Sequence, residues 1–376
     1  MVQIVPAMEV GGVERGTLDV ANGLVQRGHR SIVISAGGRL TPFLARAGSE
    51  HVQWPIGAKT PLSLRWVGRL RRLLRERHVD ILHVRSRLPA WIGYLAWRGM
   101  KVDQRPGFVT TVHGYYSVNP YSKIMCRGER VIAASAGIKE YIQERYPKVP
   151  EERIRLIPRG VNPSHFPWDY RAPEQWMMNW YRQYPTLEQN YVVSLPARLS
   201  RWKGQEEFIR IVAELKNRGI PVHGLLIGGA HAKKRAYEQK LRRQVAAAGL
   251  TEDISFVGHR DDVREIMSIS DVVLSLSTDP EAFGRTTLEA LSLGRPVAGY
   301  DHGGVGEQLQ AVLPAGQVPV GDWQGMVQLL IGWSKSPPEV PRHHPFTLGV
   351  MLDSTLEVYK ELTAGGRGPG TGENLI

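Results

Sequence analysis

Short apolar, β-branched runs alternate along this chain with helix-length stretches, and the alternation occurs in two successive series. Gln3 to Val5, Ser31 to Ser35, Asp80 to Val84, Phe108 to Val112, Val131 to Ala134 and Arg155 to Ile157 make the first series, separated by stretches such as Val13 to Gln26 and Ala136 to Tyr146. Val192 to Leu195, Gly224 to Ile227, Ile254 to Val257, Asp271 to Leu276 and Pro296 to Ala298 make the second. Strands covered by helices on both faces read as continuous apolar runs, and a repeated strand and helix rhythm feeds a parallel sheet. The expected fold class is therefore α/β, with two doubly wound parallel sheets.

Between the series, Ile157 to Trp168 is rich in Pro and Gly and lacks periodicity, so a linker with its hinge is expected there. This places one domain over 1–165 and a second over 166–346. Trp176, Trp180, Tyr181 and Tyr184 fall at helical spacing and predict an amphipathic cover over the linker, with a sugar-stacking platform as the alternative. The end of the chain, 364–376, contains the low-complexity run Gly365 to Gly372 and is expected to be disordered.

At 376 residues the chain has the length for two separate cores. Its one cysteine, Cys126, excludes an intrachain disulfide, fits a reducing compartment and reads as a packed thiol. No segment approaches the ~18 consecutive apolar residues of a spanning helix, and the start, Met-Val-Gln-Ile-Val-Pro, reads as a first core strand and not as a secretory signal. A cytoplasmic location follows as the expectation. Charge is lopsided: residues 1–165 hold 26 Lys or Arg against 12 Asp or Glu, a balance of +14, and the remainder holds 22 against 24. Within the first part, 62–78 combines six Arg with an apolar stripe at Val67, Leu70 and Leu74. The Arg65 to Arg77 face is either solvated or drawn, with Trp66, to the inner face of an anionic membrane. No recognised nucleic-acid motif accompanies the charge, so nucleic acid is not an expected partner.

The motifs cluster at expected strand ends. Gly11-Gly12 follows the first strand and precedes a helix, the place where a backbone approaches a ligand closely or turns tightly. The third glycine of a dinucleotide fingerprint is missing, which disfavours a nicotinamide cofactor. His113 ends an apolar run and precedes Gly114. Arg198 and Lys203 follow the first strand of the second series, where two cations could neutralise a diphosphate. Glu281 and Glu289 stand eight residues apart across Phe283-Gly284-Arg285-Thr286, at the opening of a helix whose free amides suit an anion. Gly303 to Glu307 could form a further ligand loop or a flexible turn. No metal site is expected, since His343-His344 lack a carboxylate or cysteine at ligand spacing and read as a surface pair. Gly57-Ala-Lys59-Thr60 lacks the glycine of a phosphate-binding loop.

Glu281-x7-Glu289, Ala290-Leu-Ser-Leu-Gly-Arg-Pro-Val297, Gly11-Gly12-Val-Glu14, Thr111-Val-His113-Gly114 and Pro196-Ala-Arg198-Leu-Ser-Arg-Trp-Lys203-Gly204 together resemble the retaining glycosyltransferases of family 4 (group 1). That resemblance implies a GT-B fold, in which two Rossmann-like domains face each other across a cleft. The first would take the acceptor and the second the nucleotide sugar, with a last helix, here 347–363, crossing back to the first. It implies transfer of a hexose from a nucleoside diphosphate sugar to a glycolipid or oligosaccharide acceptor of lipopolysaccharide type. UDP is the favoured nucleotide, although the sequence does not separate it from GDP, and no cofactor or metal is expected, since Arg, Lys and helix amides supply the positive charge that a leaving diphosphate needs. By the same resemblance His113 and Glu281 contact the donor hexose, Glu289 contacts the ribose, and Arg198 and Lys203 hold the diphosphate. Gly11, Gly12, Phe283, Gly284, Arg285 and Thr286 would complete the donor site. A soluble enzyme for a small acceptor, or a catalytically silent binding module, stays open.

Overall fold

A computed structural model describes residues 1–9, 11–229 and 235–364. Its strands are β1 (Val2–Ile4), β2 (Ile32–Ser35), β3 (Glu50–Gln53), β4 (Ile81–Val84), β5 (Gly107–Val112), β6 (Arg130–Ala133), β7 (Ile154–Leu156), β8 (Tyr191–Pro196), β9 (Val222–Ile227), β10 (Ile254–Gly258), β11 (Val272–Ser275), β12 (Val297–Tyr300) and β13 (Gln317–Val318). The helices are α1 (Gly12–Gln26), α2 (Thr41–Arg46), α3 (Arg65–Glu76), α4 (Arg87–Arg98), α5 (Pro120–Lys123), α6 (Ala136–Arg145), α7 (Glu174–Gln183), α8 (Gln205–Asn217), α9 (Arg235–Ala247), α10 (Val263–Ser268), α11 (Arg285–Ser292), α12 (Gly303–Val312), α13 (Trp323–Lys335) and α14 (Leu348–Ala364). The tail expected from 364 onward lies, apart from Ala364, outside the described residues.

The chain divides into two compact units, one formed by Met1–Arg159 with the segment from Leu348 onward and the other by Gly160–Thr347. In the first unit the sheet order is β3-β2-β1-β4-β5-β6-β7, and in the second it is β10-β9-β8-β11-β12-β13. Every pairing in both is parallel. β2, β4 and β5 are buried along their whole length, as are β9, β11 and β12, which is the burial that continuous apolar runs predict. The order reverses between β1 and β4 in one sheet and between β8 and β11 in the other. Crevices that admit ligands open outside the carboxyl ends of strands at such reversals.

Two edge strands were not expected. β3 is Glu-His-Val-Gln and only half-buried, and β13 has two residues. An edge strand is covered less completely than a central one, so neither shows a full apolar run.

In the first unit, Met351, Leu352, Val358 and Tyr359 of α14 join Val20, Leu24, Ile81, Val109, Ile132 and Ile157 in one core. Full burial of side chains of that size contributes roughly 1.5–3 kcal/mol each. Glu361 adds ion pairs to Arg130 at 2.6 Å and Arg155 at 2.7 Å.

Three local expectations need correction. α7 does not cover the linker: Trp180 packs with Val192 of β8, Leu225 and Ile227 of β9, and Ile266. Trp176 stacks on Trp180 at 5.0 Å and donates from Nε1 to Asp262 at 2.7 Å, which ties these two rings to packing within the second unit. The buried stripe of α3 is Trp66, Leu70 and Leu74, with Val67 at its border. Trp66 stacks on Trp54 at 5.2 Å, and the guanidinium carbons of Arg65 and Arg69 lie 4.8 and 5.1 Å from its ring centre. The indole is therefore a core residue and not a surface anchor. His344 is half-buried and bonded to Ser292 Oγ at 2.7 Å, so the histidine pair is not wholly a surface feature.

Candidate active site

In the second unit the loops after β8, β11 and β12 meet at one edge of the sheet. The β11 loop is clamped from both sides. Thr278 N donates to Trp202 O at 2.8 Å on the β8 side, and Gly304 N donates to Glu281 O at 2.8 Å on the β12 side. His302 Nε2 bonds Ser277 O at 2.7 Å, and Gln308 Nε2 donates to Phe283 O. Two glycines make this closeness possible. Gly204 (φ +76°) would press a Cβ into the Leu276 carbonyl, and Gly284 (φ +81°) would press one into Val305. Both also occupy left-handed backbone that other residues enter at a cost.

The clamped loop presents Glu281. Its Oε1 accepts from Lys203 Nζ and from Ser277 Oγ, both at 2.6 Å. Both bonds fall on Oε1, which leaves Oε2 to accept from a ligand hydroxyl. Lys203 is held further by the Trp202 ring, 4.1 Å from Nζ. Burial pulls the Lys203 ammonium below its ordinary value, Glu281 pushes it back up, and Arg198 adds to the lowering. Arg198 is exposed and lies within electrostatic reach of that ammonium.

Gly284 caps α11 without a side chain, and Arg285 and Thr286 open its first turn half-buried. Arg285 Nε reaches Glu289 Oε1 at 3.4 Å, one helical turn on. Phe283 is different: its side chain is buried in the core near Phe346, so any part it plays is that of its backbone. Gly303 and Gly304 begin α12 instead of forming a loose loop.

In the first unit Gly11 caps α1 and Gly12 is its first residue, beside the β1–β4 reversal. The Gly11 backbone is extended (φ −178°), so a tight turn does not explain this glycine; a side chain there would meet the Glu14 carboxylate. His113 follows β5, with its amide donating to Tyr116 Oη at 3.3 Å. Its imidazole touches Arg159, and burial, then Arg159, Arg85 and His83, hold it well below the usual histidine range. Sequence reasoning did not find this surrounding layer. His83 and Arg85 interrupt or follow an apolar strand, which is the signal that was available, whereas Arg159 sits in the linker among residues read as turn punctuation.

Elsewhere, Cys126 is buried and its thiol is pushed up to about 12, which leaves it protonated at neutral pH. Among the described residues no group of three or more His, Cys, Asp or Glu is arranged to hold a metal ion, and no helix is long and apolar enough to cross a membrane.

Residues 10–165 match the family Glycosyltransferase Family 4, and residues 179–343 match Glycosyl transferases group 1. The chain belongs to the family 4 glycosyltransferases. A glycosyltransferase structure from Rickettsia africae ESF-5 superposes on this glycosyltransferase with a TM-score of 0.85 and 28% identity, covering 97% of this chain and 98% of that one. The Anabaena protein HepE in complex with UDP-glucose shares the fold at a TM-score of 0.75 and 20% identity, covering 96% and 94%. Lipopolysaccharide glucosyltransferase WaaG of Escherichia coli is 24% identical over 78% of this chain and 79% of its own length. The glycosyltransferase thus has the GT-B fold, with its parallel sheets of seven and six strands.

Proposed function

We propose that this glycosyltransferase moves a hexose from a UDP-sugar to a hydroxyl of a lipopolysaccharide-type or other cell-envelope glycan, with retention of configuration and without a metal ion. The observation that carries the reading is the Lys203–Glu281–Ser277 cluster at the carboxyl edge of β8 and β11, beside the amino end of α11. It combines a fixed carboxylate acceptor for sugar hydroxyls with cations and helix amides for a diphosphate. The likeness to WaaG supports the acceptor class, and the likeness to HepE supports a UDP donor.

In the proposed reaction the bond from the sugar carbon to the diphosphate oxygen breaks as the acceptor oxygen bonds to the same face of that carbon. The transition state resembles an oxocarbenium ion. The acceptor proton passes to an oxygen of the departing diphosphate, so no dedicated nucleophile is required. Arg198, Lys203 and the amides of Arg285 and Thr286 take up the charge that develops on the leaving group, the work a divalent ion would otherwise do. Glu281 and His113 are assigned to the hexose and Glu289 to the ribose, and Gly11 and Gly12 let the backbone approach the donor.

A peripheral place on an anionic membrane is part of this reading. Leu62 and Leu64, 68% and 64% exposed, stand next to the exposed Arg65, Arg69 and Arg72, and replace the buried Trp66 as the apolar component.

The test is incubation with a panel of nucleoside diphosphate hexoses and a lipopolysaccharide-type acceptor, with and without EDTA, reading nucleotide release and the anomeric configuration of the product. Retained configuration and EDTA-insensitive turnover with a UDP-sugar are expected. An inverted product, or turnover lost to EDTA and restored by Mg²⁺ or Mn²⁺, overturns the mechanism.

A further inference from the structure

At the carboxyl end of β5 the first unit buries polar side chains to which the transfer reading gives no role. Arg159, after β7, directs Nη2 to within hydrogen-bond reach of both ring nitrogens of His113. Contact with both nitrogens sets the guanidinium against the ring as a whole and not at a single lone pair. On its other side the same guanidinium lies against Gly16, inside α1, where a Cβ would come to 3.2 Å from Nη1. Glycine inside a helix is unfavourable relative to alanine; at this position its missing side chain is the room that Arg159 occupies.

A second layer stands behind the first. Arg85 Nε donates to Gln3 Oε1 at 2.8 Å, and its Nη2 lies 3.5 Å from His83 Nδ1. His83 bonds Tyr359 Oη at 2.7 Å through Nδ1 and Thr111 Oγ1 at 2.6 Å through Nε2. Among the described residues, the charged and titratable groups that act on His113 include Arg159 after β7, His83 and Arg85 at the end of β4, and Tyr116 from its own loop, and Asp19 of α1 acts on Arg85 behind them.

We propose that Arg159 is the positioning residue for His113: it wedges the imidazole in place and, as a permanent charge in contact with the ring, adds to burial in keeping it an uncharged hydrogen-bonding group. This rests on the reading of His113 as a contact of the transferred sugar, and it supplies the reason for the arrangement. The sugar carbon becomes cationic in the transition state, so an imidazolium beside it would oppose the reaction, whereas a neutral ring binds without that penalty. The direction in which burial and the neighbouring cations move His113 agrees with it.

The test titrates the full-length protein, isotope-labelled at histidine, by NMR from about pH 8 to about pH 5, with His113 identified by the signal lost in His113→Gln. The wild-type ring is expected to stay neutral across that range. Arg159→Met should move its protonation midpoint up into the range, and Arg159→Lys, which restores the charge, should move it back. In transfer assays Arg159→Met should gain an acid limb in kcat that Arg159→Lys lacks. If Arg159→Met does not fold, Gly16→Ala takes its place; its added methyl crowds Nη1, and a smaller upward movement is expected. A wild-type His113 that titrates like free histidine, or a midpoint unmoved by these substitutions, overturns the proposal. Full activity in His113→Gln would instead overturn the sugar-contact reading alone, since the NMR arm does not depend on turnover.

Discussion

Lys203 Nζ and Glu281 Oε1 lie 2.6 Å apart, on loops whose strands are neighbours in the sheet but whose positions in the chain are distant, and each side chain is less than a fifth exposed. An ion pair so placed has lost much of its hydration, so each charge depends on the other.

Replacing Glu281 by Gln keeps the shape and removes the charge. Transfer should fall by roughly 10²-fold, as when a preorganised polar contact at a reacting centre is lost. Stability should fall by about 1–3 kcal/mol, because the Lys203 ammonium is left poorly compensated. Urea unfolding read beside the transfer rate checks both, and near-normal turnover would remove Glu281 from the site.

Arg198 and Lys203 should separate under the same measurements. Arg198 is exposed, so Arg198→Ala should cost turnover with little change in stability, whereas Lys203→Ala should cost both. Turnover unchanged in both variants would mean that the diphosphate is held elsewhere.

The last helix should carry an acid dependence. Arg155, and with it Arg130, holds the Glu361 carboxyl below its ordinary 4.5. The sign is that of a carboxylate stabilised in the folded state: the contribution is fully present above 4.5 and is lost as pH falls through the lowered folded-state value. The pairs are partly exposed, so the effect is about 0.5–1 kcal/mol after screening. Glu361→Gln should lower stability at neutral pH and flatten its decline in acid, as read by denaturant unfolding at a series of pH values. A parallel decline in both proteins would assign the acid sensitivity to other groups.

Vesicle binding should follow Leu62, Leu64 and the arginines beside them. Replacing Arg65, Arg69 and Arg72 together by Gln should weaken flotation with anionic vesicles at low salt, each charge being worth on the order of 1 kcal/mol near the surface, while nucleotide-sugar binding is retained. Leu62→Ser with Leu64→Ser should weaken it at high salt as well, since apolar insertion is not screened. Flotation unchanged in both sets would return this face to ordinary solvated surface.

Central strands were legible because burial on both faces writes itself into consecutive residues, as in Ile81 to Val84. β3 and β13 were not, since a half-covered edge leaves no such run. The Glu281 and Lys203 motifs could be read from spacing, but their bond could not, because 203 and 281 meet only through the adjacency of β8 and β11. Arg159 was hidden for a related reason: a residue between Pro158 and Gly160 looks like loop until the chain's path brings it under His113. The misplacement of Trp66 and of α7 came from knowing an apolar face without knowing its partner.

The division of the chain into a second unit of unbroken sequence and a first unit of two separate segments orders events during synthesis. The second unit has all its strands once Thr347 has left the ribosome, whereas the first must wait, its seven-stranded sheet already made, for Met351, Leu352, Val358 and Tyr359 to arrive. Until then an apolar groove stands open and His83 lacks the hydroxyl of Tyr359. A chain stopped short of Leu348 would keep every motif that marks it as a transferase and still be an unfinished protein, a natural client for chaperones and proteases.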